Sequence, residues 1–338
     1  MSLGFGLLSA QLRPGETDWS RAYEETIRLA VDAERLGFSS IWTTEHHFVD
    51  DGYMPSLAVV SGAIAAATSS IEIATGVILA PLHHPLRLAE DAATVSLLSG
   101  GRFTLGLGLG WSEIEFEGLG ADMTKRGEAM RETITILRQA WSGEPFLHEG
   151  TVYRFPELAV RPRPSKPIQI LIGGGAEPAI RRAARIADGI FSNVGPEKFF
   201  QQLVWIRDEC EKVHRDPAEL RIVHYSVMLP GNSPAEAWER YTQALWHMTW
   251  KYSDMEASAS RPGPPPPPPD LSDELRSGLT NRFTLAGRTE EMVSTLLDIR
   301  EQAGLPVEFA ARSHFAMLGY QPQVELMQQL AEEVAPHL

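Results

Sequence analysis

Residues 39–48 read SSIWTTEHHF, a short apolar run followed at once by a carboxylate and two histidines. The run predicts a buried strand over residues 39–43, and Glu45, His46 and His47 then lie just beyond its carboxyl end. Parallel α/β proteins build their active sites at that end of their strands, whereas a histidine pair on a helix usually belongs to the surface. The stretch therefore predicts a parallel α/β fold with these three residues in its site.

The rest of the chain repeats this order of strand and helix. Strands are predicted at residues 3–9, 39–43, 71–77, 102–107, 168–172, 189–192, 221–228 and 307–312. Helices are predicted at residues 21–36, 55–68, 86–98, 126–141, 178–186, 196–213, 234–250 and 289–303. Eight strands that alternate with eight helices favour closure into a (β/α)8 TIM barrel, an α/β fold whose strands all end at one mouth.

A doubly wound open sheet is the main alternative fold. That fold normally carries a dinucleotide-binding glycine motif after its first strand, and the segment Leu8-Ser9-Ala10-Gln11 contains no glycine. The run Gly106-Leu107-Gly108-Leu109-Gly110 follows the fourth predicted strand instead. We therefore expect a single TIM-barrel domain over residues 1–338, with insertions after strands 4 and 7.

Two irregular segments interrupt the repeat. Residues 146–167 are rich in proline and aromatic residues and predict a β-rich excursion before the fifth strand. Residues 253–281 contain the run from Pro262 to Pro269, which favours an extended polyproline conformation and cannot join a helix or a central strand. This second insertion is either a lid over the barrel mouth or a disordered surface loop.

Composition narrows the classes of function. The formal net charge of -14 and the lack of a lysine and arginine cluster argue against a nucleic-acid partner. No apolar run approaches the roughly 18 residues of a membrane span, and the N-terminus shows no signal-peptide pattern. The lone cysteine, Cys210, excludes an internal disulfide framework. These features predict a cytoplasmic protein without a nucleic-acid or membrane partner.

A barrel would bring residues from several strand ends together at one mouth. They are Glu45, His46 and His47 after strand 2, Gly76 and Val77 at the end of strand 3, residues 108–115 after strand 4, Gly173, Gly174 and Gly175 after strand 5, Ser192 and Asn193 after strand 6, and residues 313–315 after strand 8. A histidine at such a mouth can exchange a proton near neutral pH. Because neighbouring strand residues face opposite sides, only one of His46 and His47 is expected to point inward.

No metal site is expected from the histidine pairs. Two histidines that bind one metal from a helix face need a spacing such as H-x-x-x-H, which adjacent His46 and His47 lack. The pair His83-His84, just before Pro85, is better explained by capping or packing at a helix start.

The triple glycine at residues 173–175 lies between a predicted buried strand and a helix that begins near Pro178. Glycine lets the backbone approach a ligand closely, and the free amides and partial positive charge of a helix N-terminus favour an anion. The segment therefore predicts a phosphate site, or else a tight turn that binds nothing. Glu177 opposes a phosphate unless it turns outward, and Arg181 and Arg182 are candidates to compensate.

Four parts of the chain keep an order and spacing seen in a known family. They are Gly37-Phe38 through Trp42 with Glu45-His46-His47-Phe48, Thr75-Gly76-Val77-Ile78 with Pro81 and His84-Pro85, Gly100-Gly101-Arg102-Phe103 with Trp111 and Phe116, and Pro167 through Gly175 with Ala187-Asp188-Gly189. In turn they resemble the second, third and fourth strands and the phosphate side of the bacterial luciferase-like flavin monooxygenases. The resemblance covers residues 1–200 well and about the last 60 residues loosely.

The resemblance implies roles for individual residues. His46 matches the luciferase histidine that acts as acid and base on the flavin hydroperoxide, so the catalytic residues are expected to be His46 with Glu45 and His47 in support. Gly76-Val77 matches a site where the family often has a non-prolyl cis peptide, and Glu115 matches an acidic residue near the flavin. The implied cofactor-binding residues are Gly76, Val77, Gly108, Glu115, Gly173, Gly174, Gly175 and Ser192.

The chain also departs from luciferase. Gly108 replaces the reactive thiol of luciferase and Leu109 replaces a phosphate-binding arginine, so neither light emission nor that mode of phosphate binding is expected. Phosphate binding would rest more on backbone amides. This pattern is similar to the broader group, which includes FMN-dependent monooxygenases and oxidoreductases that use the deazaflavin F420.

The resemblance implies a monooxygenase that receives reduced FMN from a separate flavin reductase and oxidises a small organic substrate with O2 through a flavin C4a-hydroperoxide. Phe5, Trp42, Phe48, Trp111 and Phe315 are the candidates to exclude water at the mouth, although ordinary core packing explains Trp42 better, because it lies within a strand, and explains Trp111 equally well. An F420-dependent hydride-transfer oxidoreductase is the alternative, and a non-catalytic flavin-binding barrel is a third. The net negative charge favours FMN, since the acidic tail of F420 suits a basic channel. Small residues at positions 61–67 are compatible with a homodimer.

Overall fold

A computed structural model describes residues 3–280 and 283–338 of the chain. Eight parallel strands form its centre: β1 (Leu3–Leu8), β2 (Ser40–Thr43), β3 (Glu72–Thr75), β4 (Phe103–Gly108), β5 (Gln169–Gly173), β6 (Gly189–Ser192), β7 (Arg221–Pro230) and β8 (Val307–Arg312). Each strand pairs with the next, and β8 pairs with β1 through Phe5 and Ala311. The predicted TIM barrel is confirmed.

Helices surround the strands. They are α1 (Trp19–Leu36), α2 (Leu57–Ala67), α3 (Pro85–Leu98), α4 (Glu113–Leu119), α5 (Arg126–Ser142), α6 (Glu177–Ile186), α7 (Pro196–Lys212), α8 (Pro234–Ser258), α9 (Asp273–Thr280), α10 (Thr289–Ala303) and α11 (Tyr320–Glu333). The expected count of eight helices is wrong: α4 and α9 are too short for a clear apolar pattern, and α11 was missed although its apolar residues recur at helical spacing. Helix α10 precedes β8, and α11 is the helix that follows it.

Local chemistry explains where the elements begin and end. Asp18 caps α1 by accepting a hydrogen bond from the backbone N–H of Arg21, and Gly37 ends the helix with a φ of 85°. The predicted third strand stops at Thr75, earlier than expected, and a separate two-residue strand (Ile78–Leu79) pairs with β4. Gly76 and Val77 lie between these two strands, at the mouth of the barrel.

The first insertion contains an antiparallel hairpin of Phe146–Glu149 and Arg154–Leu158. Glu132 of α5 holds its turn, accepting hydrogen bonds from the backbone N–H groups of Thr151 at 2.8 Å and Tyr153 at 2.9 Å. Burial alone would raise the pKa of Glu132, but these bonds outweigh it and lower the pKa to about 2.

The second insertion packs against the barrel. Helix α8 continues to Ser258, beyond its predicted end, and the proline run follows it. The carbonyl of Pro265 accepts a hydrogen bond from the N–H of Gly15 at 2.9 Å, and the carbonyl of Pro269 accepts one from the indole of Trp246 at 2.8 Å. Asn281, the last residue of the predicted insertion, lies outside the described residues.

The amino-terminal end of the barrel is filled by an ion cluster, here called the barrel floor. Arg221 at the start of β7 contacts Glu72 of β3 at 2.7 Å and Glu308 of β8 at 2.8 Å, and it donates to the side chain of Gln169 of β5 at 3.0 Å. Burial alone would lower the pKa of Arg221, but the two glutamates outweigh this effect and raise it. These contacts cross the interior and join strands on opposite sides of the barrel.

Candidate active site

A cavity of about 660 Å³ opens at the carboxyl ends of the strands. Most of the predicted site residues line it, namely Glu45, His46, Gly76, Val77, Gly108, Gly173, Gly174 and Gly175. His47, Glu115 and Ser192 do not line it. The predicted catalytic and cofactor-binding residues therefore meet at one place, apart from these three.

His46 faces this cavity and is held by a buried carboxylate. Its Nδ1 lies 3.1 Å from Oε1 of Glu115, which also accepts the backbone N–H of His47 at 2.8 Å. Glu115 is 1 % exposed and comes from the first turns of α4, after β4. A carboxylate at Nδ1 favours the tautomer with the proton on that nitrogen, so Nε2 of His46 is the proton acceptor.

Glu45 and His47 belong to a second, adjoining cluster. Glu45 accepts the backbone N–H of Leu79 at 2.5 Å and lies 2.9 Å from Nε2 of His83 and 3.5 Å from Nε2 of His47. Burial would raise the pKa of Glu45, but the contacts with His47 and His83 outweigh burial and lower it to about 2. Glu45 is therefore an anion that braces the strand exit beside His46.

The same cluster is also a candidate cation site. One nitrogen or oxygen atom from each of Glu45, His47 and His83 lies within 4.8 Å of the others, and two imidazoles with a carboxylate are a ligand set that zinc accepts. The sequence indicated no metal site because His83 comes from the loop after β3, far from His47 in the chain. Glu45 contacts both imidazoles directly, and the centroids of the two rings lie 6.3 Å apart. His84, its neighbour, caps α3 by accepting the N–H of Leu86 at 3.3 Å, as expected for a helix start.

Glycines keep one wall of the cavity bare. A Cβ atom added to Gly173 would lie 2.6 Å from Cγ1 of Val77, and one added to Gly108 would lie 2.3 Å from Cγ2 of the same residue. We call Gly108, Gly173 and Val77 the glycine cradle. The Gly76–Val77 peptide is cis, as the resemblance implied. Beneath the cradle, Phe191 stacks on Trp42 at 4.3 Å and on Tyr225 at 4.2 Å between ring centroids.

A flat aromatic ring system fits this wall. The cradle offers backbone, one valine and aromatic faces, and it leaves no side chain between them and the cavity. Flat, largely apolar surfaces of this kind suit the isoalloxazine of FMN or the deazaflavin ring of F420 equally well. The residues of this wall therefore fit a flavin-type cofactor, and they suit FMN and F420 alike.

The end of the cavity near the triple glycine differs from the expected phosphate arrangement. Arg181 is engaged by Glu177 at 2.7 Å and by Glu209 at 3.3 Å, and neither Arg181 nor Arg182 lines the cavity. Glu177 turns outward, which removes the expected repulsion. A cation that the sequence analysis did not name, Lys198 in the first turn of α7, lies beside the triple glycine: its Nζ would lie 3.8 Å from a Cβ built on Gly175, although it does not line the cavity either.

Several expected mouth residues lie elsewhere. Ser192 bonds to Gln202 at 2.7 Å behind the wall. Phe5 packs against Phe38 in the core, and Phe315 also lies in the core, so the expectation that they line the mouth is wrong. Trp42 is likewise fully buried and does not line the cavity. Of the aromatic residues named from the sequence, Trp111 alone lines the cavity.

Residues from helix α8 and the ends of β7 and β8 complete the wall and were not found from the sequence. Tyr225, Met248, Tyr252 and Arg312 all line the cavity. The ring of His46 lies edge-on to Tyr53 at 4.9 Å and to Tyr252 at 5.6 Å. No motif marks these residues, because a long helix beside the barrel supplies half of them.

One known protein family matches nearly the whole chain. Residues 3–305 match the model of the luciferase-like monooxygenases. The chain belongs to this family.

Two relatives of the chain are named for different cofactors. The chain is 33% identical over 144 residues to the oxygenase component of flavin-dependent trigonelline monooxygenase from Acinetobacter baylyi, covering 42% of this chain and 40% of that protein. It is 32% identical over 207 residues to an F420-dependent glucose-6-phosphate dehydrogenase from Nakamurella multipartita, covering 58% of this chain and 60% of that protein. The matches thus span about half the length of these curated relatives.

One solved structure matches this chain over its whole length. Monooxygenase RslO1 from Streptomyces bottropensis superposes with a TM-score of 0.83 at 25% identity, covering 100% of this chain and 99% of that one.

Among the described residues, none of the helices combines the length and the apolar character needed to cross a bilayer.

Proposed function

We propose that the protein is a flavin-dependent oxidoreductase, most simply a monooxygenase that uses reduced FMN and O2 to oxidise a small organic substrate. The observation that carries the proposal is the position of His46: it faces a glycine-walled cavity while the buried carboxylate of Glu115 holds its Nδ1. A bound reduced flavin would supply the oxygen activation.

The chain's own residues would handle protons and exclude water. With Nδ1 donating to Glu115, Nε2 of His46 can take a proton from a bound molecule, and the carboxylate stabilises the imidazolium that results. Glu45 and His47 would keep the strand exit rigid. The glycine cradle and the aromatic stack would seat the ring system, with Gly174, Gly175 and Lys198 near its phosphate.

F420-dependent hydride transfer is the second candidate. The 32% identity to an F420-dependent glucose-6-phosphate dehydrogenase favours it, and the cavity fits either ring system. The same His46 and Glu115 pair would then move a proton while the cofactor exchanges a hydride. The net charge of -14 still favours FMN, whose tail carries fewer negative charges than that of F420.

One titration separates the candidates. The purified protein is titrated with FMN, reduced FMN and F420, and oxygen consumption is then compared with hydride transfer. Binding of reduced FMN is expected, with oxygenation of an added organic substrate that His46→Ala abolishes and His337→Ala retains, after the oxygen consumed by reduced FMN without protein is subtracted. Tight F420 binding without oxygen use would overturn the monooxygenase proposal. Flavin binding without turnover would indicate a non-catalytic barrel, turnover that survives His46→Ala would remove His46 from the proposed chemistry, and binding of none of the three would overturn the flavin proposal itself.

Assembly is part of the same proposal. A separate reductase would supply reduced FMN, and two copies of the chain would pair through α2 and α3. These helices expose Val59 at 71% and Leu98 at 59% beside a groove of about 550 Å³. Exposed apolar side chains of that size are typical of an interface, and the molecular mass in solution tests it.

A further inference from the structure

Arg312 is a partly buried cation in the wall of the main cavity. It ends β8 and lines both the cavity that His46 lines and a small neighbouring cavity of about 10 Å³. Burial would lower the pKa of Arg312, but the neighbouring tyrosines Tyr252, Tyr225 and Tyr53 outweigh burial and raise it. An arginine in any case stays charged at every physiological pH.

The guanidinium has few partners in the protein. Among residues 3–280 and 283–338, its one side-chain hydrogen bond runs to the hydroxyl of Tyr252 at 2.9 Å, and no carboxylate lies within ion-pair distance of it. Its centre lies 5.4 Å from the ring of Tyr252 and 5.8 Å from that of Tyr225. A guanidinium has five N–H donors, so most of them remain open toward the cavity.

Carboxylates of α8 and of the loop after β2 pair with other cations. Asp254 contacts Lys251 at 3.2 Å and Arg261 at 2.6 Å, and Asp50 contacts the same two cations. None of this negative charge is left for Arg312. A buried charge without a counter-ion is costly, and an anionic ligand that reaches it recovers that cost.

We propose that Arg312 is the anchor for an anionic group of the substrate, and that the substrate is an apolar organic acid. A carboxylate would bind the open face of the guanidinium in a two-point fashion, with the hydroxyl of Tyr252 beside it. The apolar remainder would lie along the cavity toward His46, whose ring stands 5.6 Å from that of Tyr252. The inference rests on the proposed function, since it names the class of molecule that the same cavity oxidises or dehydrogenates.

The shared chemistry is an anion, and it has a second possible source in the ring of a reduced flavin. The experiment therefore measures both. Benzoate and cyclohexanecarboxylate are titrated calorimetrically into the protein with and without FMN, beside the neutral amides of the same shape. The variants are Arg312→Gln and Arg312→Lys, with Arg28→Gln as the matched control. Arg28 also stacks on a tyrosine, Tyr320, at 4.1 Å, but lies outside the cavity.

At least one acid is expected to bind tenfold or more tightly than its amide. Arg312→Gln should remove that preference, Arg312→Lys should keep part of it, and Arg28→Gln should leave it whole. Thermal unfolding and FMN binding of Arg312→Gln are measured to check that the variant is folded. Equal binding of acid and amide, or a preference that survives Arg312→Gln, overturns the proposal. If Arg312→Gln leaves the acid preference unchanged but lowers the reduction potential of bound FMN, Arg312 acts on the cofactor instead. Failure to bind any flavin overturns the proposed function, whereas the acid preference is read independently.

Discussion

The glycine cradle allows a steric prediction whose size follows from the structure. In Gly173→Ala the new methyl would lie 2.6 Å from Cγ1 of Val77, about 1 Å inside ordinary contact. Val77 cannot move toward Gly108, because its Cγ2 already lies against that glycine, so it can yield only toward the cavity. Overpacking of this degree costs about 1–3 kcal/mol. We expect that loss in the free energy of unfolding of the cofactor-free protein, measured with urea.

Cofactor binding should respond as well, since a shifted Val77 protrudes into the cavity. FMN affinity, followed by flavin fluorescence, should fall about tenfold or more, which corresponds to about 1.4 kcal/mol. The rescue is Val77→Ala, which removes both methyl groups that the glycines contact. In that background Gly173→Ala should cost less than about 0.5 kcal/mol, a strong departure from additivity.

Gly278→Ala is the control for the substitution itself. Gly278 lies in α9 with no atom within 4 Å of a built Cβ, so alanine should stabilise by about 0.4–1 kcal/mol. The steric reasoning fails if Gly173→Ala is as mild as this control. It also fails if the penalty at position 173 is the same with and without Val77.

Three further outcomes are expected. Glu115→Gln removes the charge that holds His46 and should lower turnover about 10²-fold or more with the cofactor that binds, while a similar FMN affinity shows that the pocket is intact. Asp51 is buried, and burial, only partly offset by Lys251, raises its pKa from 3.8 to about 6. The folded state therefore binds the extra proton, and stability is lost as pH rises from about 4 to 6; Asp51→Asn should match the native protein near pH 4 and be more stable by about 1–3 kcal/mol at pH 7 in urea unfolding. Arg221→Met leaves two partly exposed glutamates unpaired and should cost about 2–4 kcal/mol, an amount that high salt reduces; an unchanged melting temperature would contradict the ion-cluster reading.

The sequence predicts the barrel because each strand is an apolar run with a helix after it, and because parallel strands must end at one mouth. That logic reaches residues carried by the strand ends themselves. It finds His46 and the glycines at positions 76, 108 and 173, and it assigns the inward direction to one histidine of the pair. The alternation of side chains along a strand is a local property, so sequence is enough.

Other parts of the site depend on how distant elements pack. His83 meets Glu45 because a loop folds back over the strand exit, and Tyr252 reaches the cavity because α8 runs well past its predicted end. The sequence places Arg312 at the end of a strand, but it does not show where the side chain points or that none of the described carboxylates pairs with it. Phe5 and Phe315 were misplaced for the opposite reason, since an aromatic residue near a strand end can face the core as readily as the mouth.

The barrel floor has a consequence for the order of events at the other end. Because Arg221 and its two glutamates occupy the amino-terminal end of the barrel, the cavity is reached from the carboxyl ends of the strands. A cofactor and a substrate bound there together would share that approach. We therefore expect the molecule that lies against the aromatic stack to bind before the one that covers it.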